Sequence, residues 1–181
     1  MNAEAIARAL HAQGAVVGLH GTREEKLKEL AAELGDRTFI FPANLSDREA
    51  VKALGQKAEE EMGGIDILVN NAGMNRPLLI EEVDIGTLDS MLALNVRAAY
   101  LVAQAAAKSM LAHGRGGSII NITSQMGHVG SPRRTVYCMT KHAVEGLTKA
   151  MAVELAPQGI RVNSVAPTFI ETAMTKPMLG D

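Results

Sequence analysis

GSIINITSQMGHVGSPRRTVYCMTK, residues 117–141, changes periodicity part-way, and that change decides the fold class. GSIINITS (117–124) is a short apolar run ending in the hydroxyls of Thr123 and Ser124, the pattern of a buried strand. A loop carrying Arg133 and Arg134 follows, and helical spacing then predicts a helix from Thr135 to Ala156. RVNSVAP (161–167) returns to strand.

The same alternation extends upstream. AVVGLHG (15–21), TFIFPAN (38–44) and IDILVNNAG (65–73) are apolar runs of strand length. Between them lie a helix ending at Gly14, a second over 23–35, and a third from near Asp47, capped by Ser46, to Met62 before Gly63-Gly64. A long helical pattern covers Ile85 to His113. Strands alternating with helices, without repeats or low-complexity segments, predict an α/β fold in one domain, 1–181, with a mostly parallel sheet covered on both faces. Ligands of such sheets bind beyond the C-terminal ends of the strands. Polar clusters fall there: His20 to Arg23, Asn44 to Asp47, Asn70 to Gly73, Thr123-Ser124, and Pro167 to Thr172.

Composition narrows the partners. The formal net charge is −2 and Lys and Arg form no long run, which argues against nucleic acid. The first residues do not resemble a signal peptide, and the longest apolar stretch, Ala98 to Ala107, is broken by Gln104 and too short to span a bilayer. Cys138 stands alone, so neither an intrachain disulfide framework nor a structural zinc site is expected, and a reducing cytoplasm is the simplest location. The five histidines are scattered without metal-binding spacing, so no metal is expected.

Tyr137 and Lys141 are four positions apart within a predicted helix, which puts both side chains on one face. Alone, this pair is as readily an exposed tyrosine beside a solvated lysine. Three further features accompany it: Ser124, thirteen residues upstream; Val69-Asn70-Asn71-Ala72-Gly73 at a strand end; and Asn95 in LALNV, a polar residue of low helix propensity in mid-helix. Together these motifs, in this order and spacing, resemble the short-chain dehydrogenase/reductase family over residues 3 to 178. The part up to Gly73 is especially similar to bacterial 3-oxoacyl-[acyl-carrier-protein] reductases, and residues 74 to 178 resemble its sugar or polyol dehydrogenases.

The resemblance implies a Rossmann-like, doubly wound parallel sheet lacking the family's first and last strands. The Thr-Gly-x-x-x-Gly-x-Gly turn that receives pyrophosphate is also missing. Met1 falls inside the helix after that turn, and Asp181 falls before the substrate-binding helices, so a central position in the sheet is left empty. It implies NAD(P)(H)-dependent interconversion of a ketone and a secondary alcohol, foremost as a 3-oxoacyl-[acyl-carrier-protein] reductase. A sugar or polyol dehydrogenase, or a silent fragment serving only in oligomerisation, are the alternatives.

Carried over by motif, the catalytic residues are Asn95, Ser124, Tyr137 and Lys141. Free tyrosine has a pKa near 10, so the Lys141 ammonium is expected to favour phenolate. Tyr137 would protonate the carbonyl oxygen, Ser124 would hydrogen-bond to it, and Asn95 would help hold a relay water or else be a satisfied core amide. For the cofactor, Asn71, Ala72 and Gly73 would line the adenosine ribose, and Asn44 and the backbone of Leu45 the adenine. Tyr137 and Lys141 would meet the nicotinamide ribose, and Pro167, Ile170 and Thr172 the carboxamide, with Thr168 replacing the usual glycine. Arg23 stands where a cation pairs with a 2′-phosphate, favouring NADP(H) while leaving NAD(H) open.

Expected partners are a small-molecule or acyl-thioester carbonyl substrate, an acyl carrier protein attracted by Arg133 and Arg134, and further copies of the chain. In the family the helices matching 85–113 and 135–156 pack subunits into tetramers. Tyr100, Met91 and Met110 read as packing residues.

Overall fold

The computed structural model describes residues 3–168. In chain order it contains α1 (Ala3–Ala12), β1 (Val17–Gly21), α2 (Glu24–Leu34), β2 (Thr38–Pro42), α3 (Arg48–Met62) and β3 (Ile67–Asn70). Then come α4 (Ile85–Leu92), a π-helical segment (Ala93–Ala98), α5 (Ala99–His113), β4 (Gly117–Ile122), α6 (Thr135–Leu155) and β5 (Ile160–Val165). β2, β3 and β4 end before their apolar runs do, and the residues beyond them leave the ladder at the polar rim.

The helix boundaries follow local chemistry. α3 stops at Gly63, which takes the left-handed conformation (φ +71°) and donates its N–H to Glu59 O. Its N-cap is Asp47 and not Ser46: Asp47 Oδ1 accepts from the N–H groups of Glu49 (2.9 Å) and Ala50 (3.4 Å). Ser46 is displaced from that role because its own N–H is held by Asn44 Oδ1 at 3.0 Å, which sets the turn one residue earlier.

All the strands pair in parallel, but in two sheets: β1 with β2, and β3-β4-β5. Among the described residues β1 and β3 share no ladder, and this division falls where the family resemblance leaves a strand out. α3 and α5 bridge it. Leu45, Val51 and Ala98 are buried there with Leu54, Leu94, Leu101 and Val102 against them, and Arg97 donates to Ser46 O at 2.8 Å. The larger sheet has its own core of Ala106, Met110, Ile119, Leu155, Ile160 and Val162. The smaller has Ala7, Val17, Leu19, Leu27 and Leu30. Met91 and Met110 are fully buried, as expected of packing residues.

Two expectations change. The predicted helix 85–113 is interrupted by the π turn, whose wider ladder turns Asn95 inward onto residue 74. Tyr100 is 47 % exposed, because the widened turn places it on the outer side of α5, where its hydroxyl accepts from Gln104 at 3.4 Å. Among the described residues no helix is long and apolar enough to cross a membrane, and no group of three or more His, Cys, Asp or Glu could hold a metal.

Candidate active site

The buried face of α6 is polar. Thr140, Lys141, Glu145 and Thr148 lie at helical spacing with Val144 and turn toward β4 and β5. Buried polar groups cost stability unless they are hydrogen-bonded, and here each has a partner. Thr140 donates to Tyr137 O, Lys141 Nζ to Ile122 O at 2.9 Å, and Thr148 to Val144 O while accepting from Asn121 Nδ2. Asn121, fully buried in β4, in turn accepts from Asn70 Nδ2 at 3.0 Å.

The register β3-β4-β5 pairs Asn70 with Asn121 and Ile122 with Val165, so the C-terminal ends of these strands share one rim. On that rim Lys141 Nζ stands 5.6 Å from the centre of the Tyr137 ring, and the Ser124 hydroxyl is close enough to the Tyr137 phenol to favour its ionised form. Ser124, in extended backbone (φ −166°), also accepts from the N–H of Met126. A side chain at Gly73 would come within 3.4 Å of Asn95 Oδ1 and 3.7 Å of Lys141 Nζ, so glycine keeps open the space beside the ammonium.

Asn95, 2 % exposed, clamps Met74 through both backbone groups: Oδ1 accepts from Met74 N–H and Nδ2 donates to Met74 O, each at 2.8 Å. Its second Nδ2 proton goes to Thr140 Oγ1 at 3.1 Å. A water can therefore meet this side chain only at the remaining lone pair of Oδ1. The amide works first as a brace that fixes the 73–74 turn against α6.

Electrostatics separate the two titrating groups. Burial pulls the Lys141 ammonium down to about 8, with the Glu145 carboxylate pushing it back up. Burial pushes the Tyr137 phenol above its ordinary value, and the Ser124 hydrogen bond and the Arg134 charge only partly offset this. In the chain alone desolvation outweighs the neighbouring hydrogen bond and charge at Tyr137; the expected lowering also invokes the nicotinamide ring's positive charge. At neutral pH the pair is a neutral phenol beside a largely cationic ammonium.

The remaining predicted residues sit elsewhere or lie outside the described part. Pro167 is half-buried and its carbonyl accepts from Gln125 N–H at 2.9 Å, tying this segment to the turn after Ser124. Thr168 donates to Gln125 Oε1, while Ile170 and Thr172 fall outside the described residues. Arg23, exposed, precedes α2 at the end of β1. Asn44 uses its side-chain oxygen in the turn before α3, and Leu45 is buried in the joint between the sheets. His20, unremarked for chemistry, is held neutral by burial, against the pull of its hydrogen bond to Ala43 O. The sequence marks Thr123 only as part of the polar cluster beside Ser124 and does not mark Thr140 and Glu145, although these lie three and eight positions after Tyr137, on the same helical face.

Residues 3–180 match the short chain dehydrogenase family. The chain belongs to that family. It is 54 % identical over 172 residues to nodulation protein G of Rhizobium sp. (strain N33), covering 95 % of this chain and 70 % of that protein. It is 38 % identical over 172 residues to a 3-oxoacyl-[acyl-carrier-protein] reductase of Haemophilus influenzae, covering 95 % and 71 %. A gluconate 5-dehydrogenase from Burkholderia cenocepacia J2315, solved in complex with NADP and tartrate, superposes with a TM-score of 0.90 at 33 % identity, covering 97 % of this chain and 70 % of that one. The Rossmann-like α/β fold expected of a short chain dehydrogenase is the one observed. Nodulation protein G aligns on both sides of Gly73.

Proposed function

We propose that this short chain dehydrogenase interconverts a ketone and a secondary alcohol with NADP(H), as a 3-oxoacyl-[acyl-carrier-protein] reductase does. The observation that carries the reading is the meeting of the Tyr137 phenol, the Ser124 hydroxyl and the Lys141 ammonium on one rim. A bound nicotinamide cofactor supplies or accepts the hydride. Tyr137, kept protonated by burial, gives its proton to the carbonyl oxygen in reduction and takes it back in oxidation. Ser124 donates to the same oxygen as negative charge develops there. Lys141 spends one N–H on Ile122 O, which leaves its other two donors for ribose hydroxyls. Asn95 positions the turn at residues 73–74 that borders this space.

Arg23, exposed beyond β1, suits a 2′-phosphate, and Asn71, Ala72 and Gly73 continue from β3 into the same rim, where they would border the adenosine ribose. Asn44 would reach adenine through its side-chain Nδ2, since its Oδ1 is held in the turn, and Leu45 through its backbone, since its side chain is buried. Pro167, Ile170 and Thr172 would hold the carboxamide. The outer face of α5 and α6, where Tyr100 and Leu147 line an open cavity of about 840 Å³ and Val153 is 79 % exposed, is the surface for assembly with further copies. Arg133, in the loop before α6, pairs loosely with Glu82 at 3.8 Å, and with Arg134 it would attract an acidic carrier protein or an anionic substrate.

The gluconate 5-dehydrogenase neighbour favours a second reading, a sugar or polyol dehydrogenase, and the division between β1 and β3 favours a third, a silent oligomerisation module. Assay of 3-oxoacyl thioesters against sugars and polyols with NADPH and NADH, beside calorimetric titration with NADPH, decides among them. Thioester reduction preferring NADPH supports the proposal, sugar turnover supports the second reading, and absence of saturable NADPH binding supports the third.

A further inference from the structure

One carboxylate that the proton chemistry above leaves unused lies a helical turn beyond Lys141. Glu145 is 5 % exposed and both of its oxygens are engaged. Oε1 accepts from Thr123 Oγ1 at 2.5 Å and lies 3.3 Å from His128 Nε2, while Oε2 accepts from Ser164 Oγ at 2.9 Å. Burial pushes this carboxyl up, but the Thr123 and Ser164 hydrogen bonds, with the charges of His128 and Lys149, hold it below the usual carboxylate range. It is an interior anion at neutral pH.

Its partners come from the end of β4, from β5, from the turn after Ser124 and from α6 itself. Thr123 immediately precedes Ser124 at the end of β4, and Ser164 lies in β5. His128, half-exposed, follows the turn at 125–127, and Lys141 and Lys149 belong to α6 with Glu145 itself. That turn crosses α6 at Gly127, where a Cβ would stand 3.1 Å from both Glu145 Cγ and Lys141 O. A side chain there would have to push the chain leaving Ser124 and the helix that carries Tyr137 and Lys141 apart by a few tenths of an ångström. An ionised carboxyl is expensive to bury, so a fully bonded one at this junction calls for a role beyond filling space.

We propose that Glu145 is a positioning residue of the Tyr137–Ser124–Lys141 centre, clamping the strand end that bears Ser124 onto α6 and supplying the negative charge behind the Lys141 ammonium. The inference rests on the proposed function only for what the centre does, because the clamp and the charge are properties of the folded chain. Glu145 touches no reacting atom in this role and acts through Thr123 and Lys141.

The test is a pH titration of Lys141 by NMR on lysine-labelled chain, which needs neither turnover nor cofactor. The wild-type midpoint should lie near 8. In Glu145→Gln, shown to be folded by circular dichroism, it should fall by about one pH unit, as expected when the opposite charge that raises it is removed. An unchanged midpoint in the folded variant overturns the proposal. Should Glu145→Gln not fold, Lys141→Met provides the reciprocal measurement: linkage requires the Glu145 carboxyl to titrate at higher pH once the cation is gone, and an unmoved carboxyl overturns the proposal equally. Failure of the oxidoreductase assays would leave both titrations as they are, so the two ideas can fail separately.

Discussion

Around β1 and β2 the buried core cluster is hydrocarbon, with His20 and the Thr38 hydroxyl as its polar exceptions, and charged residues form pairs on the outside, such as Arg8 with Glu33 and Lys28 with Glu24. Around β4, β5 and α6 the apolar core shares the interior with Asn121, Thr123, Lys141, Glu145 and Thr148, joined by hydrogen bonds. The first arrangement needs only shape and apolar area. The second holds groups that cost stability unless every partner is in place, so its presence reports a demand other than stability. On the proposed function, this contrast puts the chemistry in the three-stranded half, and the two-stranded half would meet the cofactor's far end.

If that contrast is real, the polar interior should be the less forgiving of the two. Asn121→Ala removes one of the two hydrogen bonds at each of Asn70 Nδ2 and Thr148 Oγ1 and opens a cavity, and should cost about 3–5 kcal/mol in urea unfolding. A near-neutral result would show that the network is loosely held. Leu19→Ala, in the apolar half, loses only transfer and cavity terms and should cost about 2–3 kcal/mol. A larger loss than that of Asn121→Ala would reverse the comparison.

The smallest effect separates the halves by pH. Lys141 gives up its proton near pH 8 in the folded chain but near 10.5 when unfolded. The unfolded state thus binds the extra proton between these values, and stability should rise by about 2 kcal/mol from pH 8 to 10. It is lost again as pH falls through the folded value. Tyr137, raised by burial, opposes this only above pH 10, where the unfolded phenol ionises first. Lys141→Met should flatten the rise, and a slope that survives the substitution would place its origin elsewhere.

Much of this organisation was legible in the residues themselves. Apolar runs and helical spacing marked every strand and helix, since both report burial directly. Tyr137, Lys141, Ser124 and Asn95 were recognisable because four motifs agreed in order and spacing, and the structure brings them together with Gly73. The π turn was not legible, because an Asn95 turned onto Met74 is a tertiary choice that leaves the apolar pattern of 85–113 almost unchanged. Neither the cap at Asp47 nor the engagement of Asn44 could be separated from the rival Ser46 without knowing which way the chain turns. Glu145 was overlooked for a different reason: a glutamate in a helix ordinarily faces water, and only the strands packed on α6 show that this one does not.

The central claim is that a phenol, a hydroxyl and an ammonium from separate elements act together on one carbonyl. Steady-state reduction by NADPH, compared between the wild-type chain and Tyr137→Phe with cofactor binding measured alongside, tests it most directly. The account predicts that turnover falls by about 10²–10⁴-fold while NADPH still binds, as for loss of a general acid. Turnover that is unchanged in folded Tyr137→Phe would contradict it.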